Sequence, residues 1–199
     1  MQNFKKLYLD SVNQLKVTRN LAICAMLAAI AVVLNFTTSI QLGPYIRIGF
    51  SDIPNRIVDF LFGPVVGGIF GGMLDILKFF TKPTGPFFFG FTFNAIISGI
   101  IYGSFLYNKP VKASRIILCQ IVIKLVVNCG LTTLWLSMMY DKGFMILLPA
   151  RFIKEMIMIP VDSVILYFSL TIIQKLRKRM NIYCVRTHLF PIIHVTIYL

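Results

Sequence analysis

Arg47, Asp52, Arg56, Asp59, Asp75, Lys78 and Lys82 fall within residues 46–94, a stretch that otherwise reads as membrane-spanning helix. An ionised side chain at the centre of a bilayer costs about 3 kcal/mol or more, so such groups persist where they pair or face a water-filled cavity. The chemistry these types and spacings suit is the holding of a polar, charged ligand. Catalysis is a poorer fit. Asp52 and Asp59 could form a carboxylate pair, but Arg56 stands between them, and the stretch has no His or Cys to act as nucleophile or proton relay.

Helical spacing predicts some internal pairing. Asp52, Arg56 and Asp59 stand at i, i+4 and i+7 on one face, and Asp75 and Lys78 at i and i+3. Lys154 and Glu155 are adjacent, point in different directions and need not pair. Helical spacing points to no obvious sequence-local pairing for Arg47, Lys82 and Arg151, and together they suggest an outward-facing site for an anion. The competing account is that each reaches outer-leaflet phosphates. Phe87, Phe88, Phe89, Phe91 and Phe93 crowd the same region, with Trp135 further on. An interfacial belt is made of Trp and Tyr more than Phe, so stacking on a flat heterocycle is the sharper reading, and packing against lipid or helices the plainer one. Asn94 and Asn128 lie inside spans. Either could read a heterocycle edge or bond to a neighbouring helix.

These residues need a scaffold, and composition says which kind. The chain has 199 residues, 57% of them hydrophobic, with a mean hydropathy of +0.80. One small domain cannot bury that much apolar surface. The length suits about six spans of roughly 20 residues each and no sizeable extramembrane domain. A net charge of +13 would suggest nucleic acid in a soluble protein; here basic loops beside anionic lipid account for it, and no nucleic-acid partner is expected. Cys24, Cys119, Cys129 and Cys184 are scattered, with no metal-ligand spacing, and read as packing residues. No nucleotide-binding, zinc-protease or serine-hydrolase motif occurs, so any ATPase serving this protein is another chain.

Residues 1–19 read as an amphipathic segment on the cytoplasmic membrane face, 20–179 as a six-span bundle and 180–199 as an atypical tail, interfacial or disordered, interrupted by Pro191. The expected spans begin with Leu21 to Phe36, then a short polar helix near Ser51 to Phe62. Val65 to Thr81, Phe88 to Tyr107, Ser114 to Tyr140 and Pro149 to Lys175 follow. Basic clusters at Lys5, Lys6, Lys16 and Arg19, at Lys109, Lys112 and Arg115, and at Lys175, Arg177, Lys178 and Arg179 share one side if there are six spans. Both termini are then cytoplasmic, and Lys142 joins the outward basic set. Overlapping GxxxG spacings at Gly67, Gly68, Gly71 and Gly72, and again at Gly99 and Gly103, predict close helix packing. Ala22, Ala25 and Ala29 form a smooth stripe on the first span.

The block IRIGFSDIPNRIVDFLFGPVVGGIFGGMLDILKFFTKPTGPFFFGFT, followed by LPARFIKEMIMIP at 148–160, resembles the substrate-binding S components of energy-coupling factor vitamin transporters, the folate-specific group in particular. The resemblance covers about residues 4 to 179. It implies an all-α, multi-pass, six-helix protein of the bacterial plasma membrane, not an enzyme and with no cofactor of its own. Such a protein captures vitamin from outside and docks on a shared transmembrane T component driven by two ATPases that hydrolyse ATP. The resemblance also implies that Ala25 and Ala29, flanked by Ala22, form the coupling surface. Folate offers a flat pterin, an aminobenzoyl ring and two carboxylates. Phe91 and Trp135 would hold the rings, Arg47, Lys82 or Arg151 the carboxylates, and Asn94, Asn128 or Asp52 the pterin edge. The alternatives are an S component for riboflavin or a pyrimidine, a small integral membrane enzyme acting on lipid, and an assembly factor.

Overall fold

A computed structural model describes the backbone of residues 2–15, 17–38, 40–42, 46–48, 51–83, 87–140 and 144–195. It is a helical bundle. α1 (Gln2–Gln14) leads into α2 (Thr18–Thr38), and a short antiparallel hairpin follows, β1 (Ile40–Leu42) with β2 (Ile46–Ile48). Ile40 stands opposite Ile48 and Gln41 opposite Arg47. The hairpin is an addition to the all-α expectation. Its signal, apolar and polar residues alternating on both sides of Gly43-Pro44, is short and easily passed over.

α3 (Ile53–Phe62) and α4 (Pro64–Thr81) meet at Gly63. That residue takes φ +91°, a left-handed conformation suited to glycine, and Pro64 opens α4 at the position where its missing N–H costs nothing. α5 (Phe89–Leu106) comes next. The expected fifth span is three pieces in one line: α6 (Ala113–Ile123), a π-helical segment (Lys124–Leu131) and α7 (Thr132–Tyr140). α8 runs from Phe144 to Val195. The tail, expected to be interfacial or disordered, therefore continues as helix as far as Val195, Pro191 included.

Among the described residues five helices are long and apolar enough to cross a membrane, spanning Thr18–Thr37, Pro64–Thr81, Phe89–Leu106, Ala113–Met139 and Arg151–Leu176. α3, with 10 residues, is about 15 Å long, half of a hydrocarbon core of about 30 Å. Yet α3 is central. Its Phe60 joins Tyr102, Ile116, Cys119, Val127 and Leu170 in one buried cluster, while its Val58 and Phe62 join Ala31, Val66, Phe70 and Leu74 in a second. Outside these cores the surface is apolar, with Met26, Val33, Met73, Phe80, Ile157 and Phe168 all exposed, as a lipid solvent demands.

Side-chain contacts sort the helix ends into two groups. At the near end, the Ser11 hydroxyl of α1 donates to the Phe62 carbonyl at 2.7 Å and accepts from the Val65 and Val66 amides at 3.1 and 3.3 Å. Tyr8 of α1 meets Ser104 of α5 at 3.2 Å. At the far end, Lys78 of α4 reaches the start of α3, and α5 begins beside α7. Ser11 is fully buried, so the N-terminal segment is packed into the bundle and caps α4 from a distance in sequence. Ser11→Ala removes that cap and leaves the Val65 and Val66 amides orphaned. The expected cost is about 1–2 kcal/mol, a fall of about 2–8 °C in melting temperature for a chain of this size, read by thermal unfolding in detergent.

The predicted glycine packing is present and tight. A Cβ on Gly99 would strike the backbone of Gly67, on Gly103 it would lie 2.5 Å from Pro64 Cα, and on Gly71 it would lie 2.9 Å from the Ala95 carbonyl oxygen. α4 and α5 thus touch backbone to backbone.

Candidate functional site

At the far end, the start of α5 packs against α7. Asn94 is buried and engaged at both ends: the Trp135 indole donates to its Oδ1 at 3.1 Å, and its Nδ2 donates to the Thr132 hydroxyl at 3.0 Å. Thr132 in turn donates to the Val127 carbonyl at 3.0 Å, an i to i−5 contact at the end of the π segment. Phe88 lies 5.6 Å from the Trp135 ring and 6.0 Å from Phe91. Gly90 makes room for this group, since a Cβ there would sit 2.6 Å from both Phe88 and Trp135. Three predicted site residues, Phe91, Asn94 and Trp135, are thus brought together, with Phe88 as the ring between. An amide held this way orients an indole plane rigidly, which suits stacking on a flat ligand.

The charges next to this cluster pair differently from the sequence expectation. Lys78 donates to Asp52 at 2.8 Å and to the Ser51 carbonyl at 3.0 Å. It does not salt-bridge to Asp75, which accepts from Thr92 at 2.9 Å. The i, i+3 expectation fails because both side chains find partners on neighbouring helices. Asp52, Arg56 and Asp59 share a face but not an environment: Asp52 is exposed, and Asp59 is fully buried. Asp59 pairs with Arg56 at 3.1 Å, whose guanidinium lies 3.8 Å over the Tyr102 ring. Tyr102 donates to Gln120 at 2.8 Å. This set joins α3, α5 and α6 deep in the bundle.

A second ionic cluster, centred on Lys124, went unread in the sequence. Lys124, buried at the start of the π segment, bonds Glu155 at 2.8 Å and Asp162 at 2.7 Å, both on α8. Asn128 donates to the same Glu155 oxygen at 3.1 Å, and Lys154 meets the other at 3.3 Å. Adjacency left this pair optional; it forms because a long lysine stem can fold back to its neighbour. A single lysine midway along the apolar run 113–139 was the available signal. A π segment widens the helix by one residue per turn and commonly marks functional positions. Here it is the segment that presents both Lys124 and Asn128 to α8.

Of the three basic residues assigned to carboxylates, Lys82 caps the end of α4 and is half-buried. Arg151 is half-buried on α8, one turn before Glu155. Arg47 is on β2, but its side chain, like all of Lys142, lies outside the described residues. Ala22, Ala25 and Ala29 are all exposed on α2, whereas Ala28 and Ala31 turn inward. Among the described residues no group of three or more His, Cys, Asp or Glu could hold a metal ion.

Comparison with known proteins gives one consistent result. Residues 19–170 match the family described as ECF transporter, substrate-specific component. The chain is 36% identical over 152 residues to the folate transporter FolT of Clostridium novyi (strain NT), covering 76% of this chain and 88% of that one. It is 33% identical over 161 residues to the folate transporter FolT of Leuconostoc mesenteroides, covering 77% and 85%. A shorter match, 38% identical over 74 residues, is to the riboflavin transporter RibU of Staphylococcus aureus, covering 39% of its length. The fold is similar to a crystal structure of FolT bound with folic acid, with a TM-score of 0.71, 31% identity, and coverage of 76% of this chain and 92% of that one. A helical membrane bundle whose sequence agrees with this family over most of its length belongs to the substrate-specific components of ECF transporters, which are transport proteins and not enzymes.

Proposed function

We propose that this chain captures folate from outside the cell and hands it to an energy-coupling module, made of a transmembrane T component and two ATPases that hydrolyse the ATP. The observation that carries the reading is the Asn94–Trp135–Phe88 cluster, a rigidly held ring set at the end of a bundle similar to folate transporters. Phe91 and Trp135 stack on the rings. Arg47, Lys82 and Arg151 meet the glutamate carboxylates, and Asp52, Asn94 and Asn128 read the pterin edge, the two amides using the hydrogen-bonding capacity left by their protein partners. Ala22, Ala25 and Ala29 form the face that docks on the T component.

The bundle crosses the cell membrane six times in this reading, with both termini cytoplasmic. Supporting it, Ser11, just before α2, contacts the α3–α4 turn, as expected of a chain that is back on its starting side by Gly63 although α3 alone is short.

Equilibrium binding of tritiated folate, with riboflavin as competitor, tests the substrate. Folate is expected to bind and riboflavin not to displace it; the reverse result replaces folate by a flavin. Trp135→Ala is expected to weaken folate binding by about tenfold or more, from a lost stacking contact worth about 1–3 kcal/mol; unchanged affinity would remove Trp135 from the site. Replacing Ala25 and Ala29 by leucine should abolish co-purification of the T component while leaving folate binding intact.

A further inference from the structure

The buried face of α3 carries a side-chain carbonyl oxygen with nothing to bond. Asn55, in the first turn of α3, is 5% exposed, and its Oδ1 has no hydrogen-bond partner. Asp59, one turn on, also keeps an orphan oxygen, but its other oxygen is tied to Arg56. Leaving a buried acceptor unpaired is costly, so a group with no structural use is unexpected in a helix this well packed. Its place in the bundle suggests the use. From their common turn at Gly63, α4 runs 18 residues and α3 only 10, so α3 stops about 12 Å short of α4 at the far end. Asn55 Nδ2 and the Ala95 carbonyl oxygen both lie within 3.4 Å of where a Gly71 Cβ would be. Ala95 directly follows Asn94, the residue that holds Trp135.

We infer that Asn55 is a specificity-determining residue of the vitamin site, whose carboxamide pairs with the amide-like edge of the bound heterocycle. Its Oδ1 accepts a ring or amino N–H, the class of donor that the aminopyrimidinone edge of a pterin presents. This rests on the folate reading above. A site built around such a bond discriminates strongly, because the ligand group is left unpaired when the partner is removed.

The test uses the full chain in detergent: dissociation constants for folate, pteroate and riboflavin, and melting of the ligand-free protein, for the wild type, Asn55→Leu and Asn55→Ala. Both variants should weaken folate and pteroate equally, by about tenfold or more, since pteroate keeps the pterin and lacks the glutamate. Ligand-free melting should stay level or rise, because an orphan acceptor has been removed. Folate affinity within twofold of wild type in both variants overturns the inference. So does lower ligand-free melting in both, which would mean that an internal water or packing occupies the amide. The wild-type ligand is read separately. If it is riboflavin, the folate reading falls, while Asn55 is still judged on the flavin, which also carries a ring N–H. If the wild type binds none of the three, both fall.

Discussion

Gly99→Leu is expected to leave no folded bundle to measure. A side chain at this position meets the Gly67 carbonyl oxygen, the Gly67 carbonyl carbon at 2.6 Å and the Gly68 nitrogen at 2.9 Å, all of them backbone. Overpacking against side chains costs about 1–3 kcal/mol because rotamers can yield. Main chain cannot yield without parting α4 from α5, so the cost should exceed that range. Gly130 supplies the control: the nearest atom to a Cβ there is the Leu125 carbonyl oxygen, at an ordinary 3.6 Å, and Gly130→Ala should melt as wild type does. A monodisperse Gly99→Leu protein with wild-type melting would mean that α4 and α5 do not meet as described.

The second large effect is at Lys124. Lys124→Met leaves Glu155 and Asp162 facing each other without the cation between them. Breaking a buried ion cluster by removing one partner costs about 3–5 kcal/mol, or roughly 6–20 °C in melting temperature for a chain of this length. Neutralising the whole set reverses the sign of the argument. Lys124→Met combined with Glu155→Gln and Asp162→Asn should recover most of the lost stability, because no charge is left stranded. A triple variant no more stable than the single one would show that the lysine acts through packing and not through charge.

How much of this was legible beforehand depended on whether the signal was local. The glycine spacings on α4 and α5 are read off a single helix, and they did predict the close packing. The Arg56–Asp59 pair, one turn apart, was also within reach. Lys78 was not, because its partners at Ser51 and Asp52 come from a helix whose start is fixed only by the turn at Gly63. The aromatic and amide residues could be nominated by type, yet nothing in their spacing says that Trp135 bonds Asn94. That contact joins α5 to α7, two helices far apart in the chain, so no local period reports it. The short hairpin was hidden by the Gly-Pro break it surrounds. Lys124 is visible as a lone lysine in an apolar run, but its partners Glu155 and Asp162 lie on another helix, and no local spacing points to them.

The two polar fastenings also differ in when they can close. Ribosomes deliver this chain from its N-terminus, so Ser11 already exists when the α3–α4 turn emerges, and the clasp can shut as soon as Val65 and Val66 arrive. Lys124 has the opposite fate: its counter-ions belong to the last helix, and the ammonium must enter the bilayer region before Glu155 and Asp162 have been made. Insertion of the span that runs from α6 through the π segment is therefore the vulnerable moment of biogenesis, and the arrival of α8 is what seals the bundle of helices around its own charge.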